Sequence, residues 1–243
     1  MARLPWSDFY ATPFVEAPDC WKTCGGYCCA NFTQLNSGGS VVVPFLAQEY
    51  GHYAALAGPE GTAQVSHHAF TLPDGSPLTV HLLRCKRQGL CTPWAARPLI
   101  CRIYPYLPVV DLHGTVTDFD ACSLADAFYR HPAASHRCTL VREQADAIRP
   151  ALKDALRDML AYPEMIFSFL LLHLVLKHLR MALPQHVDTL SDDEFPAFRT
   201  RFNSLLFTQR PWRTPAFADD VAAMYAACVA LHGPLDLSLQ EAT

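Results

Sequence analysis

"LVREQADAIRPALKDALRDMLAY", residues 140–162, is the stretch on which the fold class turns. Its apolar residues recur at helical spacing, and Pro150 marks a kink or a new helix start. The chain beyond it keeps this texture. "MIFSFLLLHLVL" (165–176) predicts a buried helix over 164–183 that ends before Pro184. That run holds 12 residues and includes Ser168 and His173, whereas crossing a bilayer takes roughly 18 to 20 apolar residues. "SDDEF" from Ser191 carries the Ser-x-x-Glu capping pattern, and Pro215 after Thr214 sits at a typical first helical position. Residues 138–243 are therefore expected to form four or five helices packed as a bundle.

Upstream the texture changes. Nineteen prolines, most of them before residue 150, predict a loop-rich first half. Residues 1–19 read as an extended lead-in. "VVVPFLAQEYGHYAALAG" (41–58) reads as a short strand entering a helix of about three turns, closed by Gly58. "TAQVSHHAFTLPDGSPLTVHLL" (62–83) reads as two strands around the turn Asp74-Gly75. Cys122 opens a short helix in "CSLADAFYRH". The fold class is thus α+β and mainly helical. A cysteine-rich irregular region, 1–137, packs as one unit on the helical bundle 138–243.

At 243 residues, 51% hydrophobic and 17% charged, the chain can bury a core without staples. Nineteen basic against 23 acidic residues give a net charge of -4 and no basic stripe, which argues against a nucleic-acid partner. The opening "MARLPWSDFYATPFVEAPD" has no apolar signal core or cleavage site, and no lipidation pattern is visible. The expectation is a cytoplasmic protein with no membrane partner.

Against that background the cysteines are unusual. Nine of ten lie in the first 138 residues, four of them in "CWKTCGGYCC" (20–29). Cytosolic thiols are kept reduced, which argues against a disulfide framework. Cysteines serving as small core residues would also be spread more evenly. The spacing is Cys20-x3-Cys24-x3-Cys28-Cys29, then Cys85-x5-Cys91-x9-Cys101, then Cys122. It contains no C-x2-C knuckle, which weakens the ordinary structural zinc reading. Neighbouring side chains such as Cys28 and Cys29 point in different directions, so both rarely reach one tetrahedral ion. An iron–sulfur cluster, normally held by four thiolates, or two adjacent sites, accommodates such a pair. The loop also approaches the C-x3-C-x-aromatic-C signature of radical S-adenosylmethionine enzymes. Its second gap is one residue too long, however, and the strand–helix alternation of their barrel is missing.

"CWKTCGGYCC" followed by "RCKRQGLCTPWAARPLICRIYPY" resembles the YkgJ-type cysteine-cluster family, described as zinc- or iron-chelating. The most specific element is Arg97-Pro98-Leu99-Ile100-Cys101-Arg102-Ile103-Tyr104-Pro105. The likeness covers roughly residues 20–125. It departs from the family in the first element, where both gaps are three residues instead of two. A larger protein of similar cysteine layout, flagellin lysine-N-methylase, is described as an iron–sulfur enzyme, which favours iron over zinc.

The resemblance implies that four of Cys20, Cys24, Cys28, Cys29, Cys85, Cys91, Cys101 and Cys122 bind a 4Fe-4S cluster, with zinc as the alternative. Arg97 and Arg102 would stabilise the anionic site, or else form surface ion pairs, and Tyr104 and Pro105 would turn the chain and cover the cluster. Cys228, in "AAMYAACVALHG", reads as core. His67 and His68 face opposite ways on a strand, and His173 and His178 are off register for a metal pair, so all four read as structural. Asp118 and Asp120 fit either acid–base groups or a solvated turn. No Ser-His-Asp order, phosphate loop or dinucleotide fingerprint is present. Two functions stay open: an iron–sulfur enzyme acting on a small molecule or peptide, or a non-catalytic protein that chelates, delivers or senses metal.

Overall fold

The structure is a computed structural model that describes residues 4–15, 22, 41–46, 48–85, 94–122, 126–129, 136 and 138–237. It begins with a helix, α1 (Trp6–Ala11), where the sequence suggested an extended lead-in. Trp6, Phe9 and Tyr10 stand at helical spacing and all three are buried, so the helix forms because one face has a core to meet.

β1 (Val41–Pro44) leads into α2 (Glu49–Thr62). Gly58 does interrupt α2, with φ at +67°, but the chain resumes for one more turn from Pro59. Proline is at home there, since its fixed φ suits a helix start and its missing N–H costs nothing. β2 (Val65–Thr71) and β3 (Pro77–Cys85) form the expected hairpin, with Thr71 opposite Pro77 and Gly75 at φ +82°. β1 adds to the other edge of β3, giving a three-stranded antiparallel sheet in the order β1-β3-β2. A four-residue helix, α3 (Leu99–Arg102), precedes a second antiparallel pair, β4 (Tyr106–Val110) and β5 (Val116–Ala121). Of the short helix expected after Cys122, the described part is a single 3-10 turn, Asp126–Phe128.

The remainder is helical: α4 (Thr139–Glu143), α5 (Ala145–Ala155), α6 (Pro163–Ala182), α7 (Phe195–Ser204) and α8 (Pro215–His232). The break anticipated at Pro150 falls instead at Gln144, between α4 and α5. Pro150 lies within α5 on its exposed side, where it has no backbone N–H to give to the preceding turn. Ser191 and Glu194 form the capping contact, with Glu194 accepting from the Ser191 N–H and hydroxyl, both at 2.9 Å. Thr214 caps α8 by accepting the Phe217 N–H at 3.3 Å, with Pro215 next to it.

One apolar core runs through both halves, from Leu4 and Phe9 through Leu99, Ile103 and Leu107 to Leu152, Leu179 and Phe202. A second cluster seats the β2–β3 hairpin (Leu72, Leu78) against Phe167 of α6 and Phe217, Val221, Tyr225 and Cys228 of α8. Tyr225 donates to Asp74 at 2.7 Å, fastening the hairpin turn to α8. α6 is long and apolar enough to cross a membrane by length and composition. In this fold it lies against β4 and α8, with Met165, Ile166, Phe167, Phe169 and Leu179 buried. Arg180 of α6 grips Asp120 of β5 through two hydrogen bonds of 2.7 Å.

Candidate functional site

α3 carries Cys101 and is a single turn. A helix this short cannot support itself, because one turn's hydrogen bonds do not offset the entropy of fixing its backbone. Its apolar side is anchored instead: Leu99 and Ile103 are fully buried and Ile100 nearly so. Its two ends are held by one acid and one base.

The acid is Glu49, at the first position of α2 and 0% exposed. Its Oε1 accepts the Leu99 N–H at 2.5 Å and the Tyr10 hydroxyl at 2.5 Å, and its Oε2 accepts the Leu46 N–H at 3.0 Å. Burial pushes the Glu49 carboxyl above the usual carboxylate range, while these donors and the nearby Arg102 charge pull it back. Burial, followed by the charge of Glu49, raises Tyr10, so its hydroxyl remains a donor. The base is Arg102. It donates to the carbonyls of Arg97 (2.8 Å), Tyr10 (2.8 Å) and Ala95 (3.0 Å), and its guanidinium lies 4.6 Å from the centre of the Tyr10 ring. Three backbone oxygens and an aromatic face are thus among its partners. Tyr10 touches both holders.

Between these ends Cys101 is half-buried. The Cys122 thiol donates to the Ile100 carbonyl at 3.2 Å, which sets its sulfur beside the residue preceding Cys101. Cys85 ends β3 opposite Val41 and is half-buried as well. All three belong to the spaced cysteine motif. Cys138 and Cys228 are sealed in the core, and burial raises the Cys228 thiol to about 11. Among the described residues, no three histidine, cysteine or acidic side chains gather as a metal-holding group. Cys20, Cys24, Cys28, Cys29 and Cys91 lie outside the described residues.

Tyr104 is buried and joined to Pro105 by a cis peptide. Its hydroxyl donates to Asp126 Oδ2 at 3.2 Å, and the other oxygen of Asp126 lies 2.9 Å from His136 Nε2. His136 Nδ1 accepts the Cys138 N–H at 3.1 Å, so the ring proton sits on Nε2 and donates to Asp126. A buried polar chain therefore links the segment after Cys101 to the start of α4.

The other polar candidates settle into structural positions. His67 is exposed on β2 across from His81, and His68 on the opposite face packs edge-on to Phe70. His173 donates from Nε2 to the Pro108 carbonyl at 2.8 Å, and His178 pairs with Asp220 at 3.0 Å. Asp118 and Asp120 stand on β5 and not in a turn. Burial would raise Asp120, but the Arg180 hydrogen bonds and charge outweigh it and hold the carboxyl below its ordinary range.

Tyr10, Glu49, Asp126 and His136 were not singled out by the sequence reading. The available signal was an acid embedded in apolar sequence: Glu49 after "VVVPFLA" and Asp126 in "LADAFY". Comparison of the chain with family models, curated proteins and solved structures found no match.

Proposed function

We propose that this chain is an iron–sulfur cysteine-cluster protein, a redox or substrate-modifying metalloenzyme acting on a small molecule or peptide. The observation that supports the reading most is a division among the described cysteines. Cys85, Cys101 and Cys122, which belong to the spaced motif, are half-buried, whereas Cys138 and Cys228, outside it, are sealed. A soft donor set of partly accessible cysteine sulfurs suits a 4Fe-4S cluster, or zinc as the alternative metal. The ligands would be four of Cys20, Cys24, Cys28, Cys29, Cys85, Cys91, Cys101 and Cys122. When bound, such a cluster supplies electron transfer or an iron open to substrate. The chain's own contribution is a braced turn under Cys101 and a guanidinium and a phenol, Arg102 and Tyr104, within a few residues of it. Arg97 completes the motif that would border the cluster.

Anaerobic purification followed by metal and sulfide analysis tests this. The expected result is brown protein with near-stoichiometric iron and acid-labile sulfide. Cys28→Ala, Cys91→Ala and Cys101→Ala should each lose the metal, since ligand loss removes binding energy that is also folding energy. Cys228→Ala should retain it. Stoichiometric zinc without sulfide, even after anaerobic reconstitution, would overturn the iron reading in favour of a non-catalytic zinc-binding protein.

A further inference from the structure

We propose that Glu49 and Arg102 are positioning residues for Cys101, a clamp that fixes the direction of its sulfur. The proposal rests on the reading above only in treating Cys101 as a ligand.

α3 has four residues, and its ends are held from opposite sides. Glu49 takes the first N–H of the turn, that of Leu99. Arg102, the last residue, reaches back to the carbonyls of Arg97 and Ala95 and across to that of Tyr10. Cys101 is the one half-buried thiol between them. The clamp also closes on itself, because Tyr10 gives its hydroxyl to Glu49 and its ring and carbonyl to Arg102.

The chemistry of each end is specific. Three donors converge on Glu49, two of them backbone N–H groups that cannot accept. An amide of the same shape would turn its NH2 toward one of them, so glutamine loses a bond and gains a repulsion. Arg102 serves three carbonyls from one planar fork, and a lysine ammonium cannot span that geometry. A fully buried carboxylate is costly to keep, and apolar packing alone could have anchored so short a turn. A ligand held in one orientation is what this arrangement adds, because groups behind a ligand set its direction and its affinity for metal.

Iodoacetamide labelling of the folded chain as purified, read cysteine by cysteine in a mass spectrometer, tests the clamp. Wild type is compared with Glu49→Gln, Arg102→Lys and Val221→Ala, the last a core truncation in the separate cluster around α8. Each clamp variant should raise the labelling rate of Cys101 by about tenfold, the equivalent of one lost charge-assisted bond, with Cys85 unchanged. Val221→Ala should leave Cys101 at the wild-type rate. A clamp variant that folds yet labels Cys101 as wild type does, or a rise shared by all cysteines, overturns the proposal. Should Glu49→Gln fail to fold, Arg102→Lys carries the test. Metal content of the same samples separates the two readings. Metal-free wild type with the Cys101-specific rise sinks the proposed function alone, and metal-bound wild type without the rise sinks the clamp alone.

Discussion

His81 shows how one side chain can set acid tolerance. Its ring lies flat on Tyr50, with centroids 4.0 Å apart, and is buried beside the exposed His67. Burial first, and the charge of His67 second, lower its pKa to about 4 from 6.5. Between those values the unfolded chain takes up a proton that the folded chain refuses. Stability is therefore fully present above pH 6.5 and falls as pH drops toward about 4, by up to about 3 kcal/mol from this group. His81→Phe keeps the stack and removes the proton site. Urea unfolding at pH 7 and pH 4.5 should show the variant losing markedly less stability than wild type, and parallel losses would refute the assignment. The sequence placed His81 on a strand but could not show that this histidine is the covered one, since its neighbour across the sheet, His67, is the same residue type.

At the scale of elements, two glycines with positive φ separate backbone strain from crowding. At Gly58, φ +67°, an added Cβ meets nothing within 4 Å. At Gly114, φ +79°, it would lie 2.5 Å from the Leu160 carbonyl and 3.0 Å from Ile166. Gly58→Ala should therefore cost about 1 kcal/mol, the strain alone. Gly114→Ala should cost about 3 kcal/mol or more, since backbone must shift as well. Thermal melts of the two variants would decide, and equal losses would contradict the packing of the β4–β5 turn on the segment before α6. Gly58 was legible as a break because glycine before proline is a local signal. Gly114 was not, because its constraint comes from a carbonyl 46 positions away, residue 160 less residue 114.

For the whole molecule, the continuous core predicts that the two halves unfold together. Leu99, Ile103 and Leu107 from the first half are buried with Leu152, Leu156 and Leu179 from the second. The Asp120–Arg180 pair adds a half-buried link between β5 and α6. Far-ultraviolet circular dichroism and tryptophan fluorescence should give coincident urea transitions. Arg180→Met should move both by the same amount, about 2 kcal/mol for the loss of charged hydrogen bonds. Two separated transitions would mean that the halves have independent cores.

What the sequence determined by itself was short-range. Thr214-Pro215, Ser191 with Glu194, the Asp74-Gly75 turn and the periodicity of the second half act within one turn of chain, and they delivered a mainly helical α+β fold with α8 and the hairpin where expected. The Arg97–Pro105 motif likewise marked the turn that carries Cys101. Tertiary structure alone decided what surrounds that turn. Two of the three donors to Glu49 lie 39 and 50 residues away, Arg102 reaches Tyr10 across 92, and Arg180 meets Asp120 across 60. The lead-in became a helix for the same reason, since Trp6, Phe9 and Tyr10 find their core only in distant segments. Local propensity reads out in sequence because its energies arise between neighbours. A buried carboxylate does not, because its cost is met only by donors that folding brings to it.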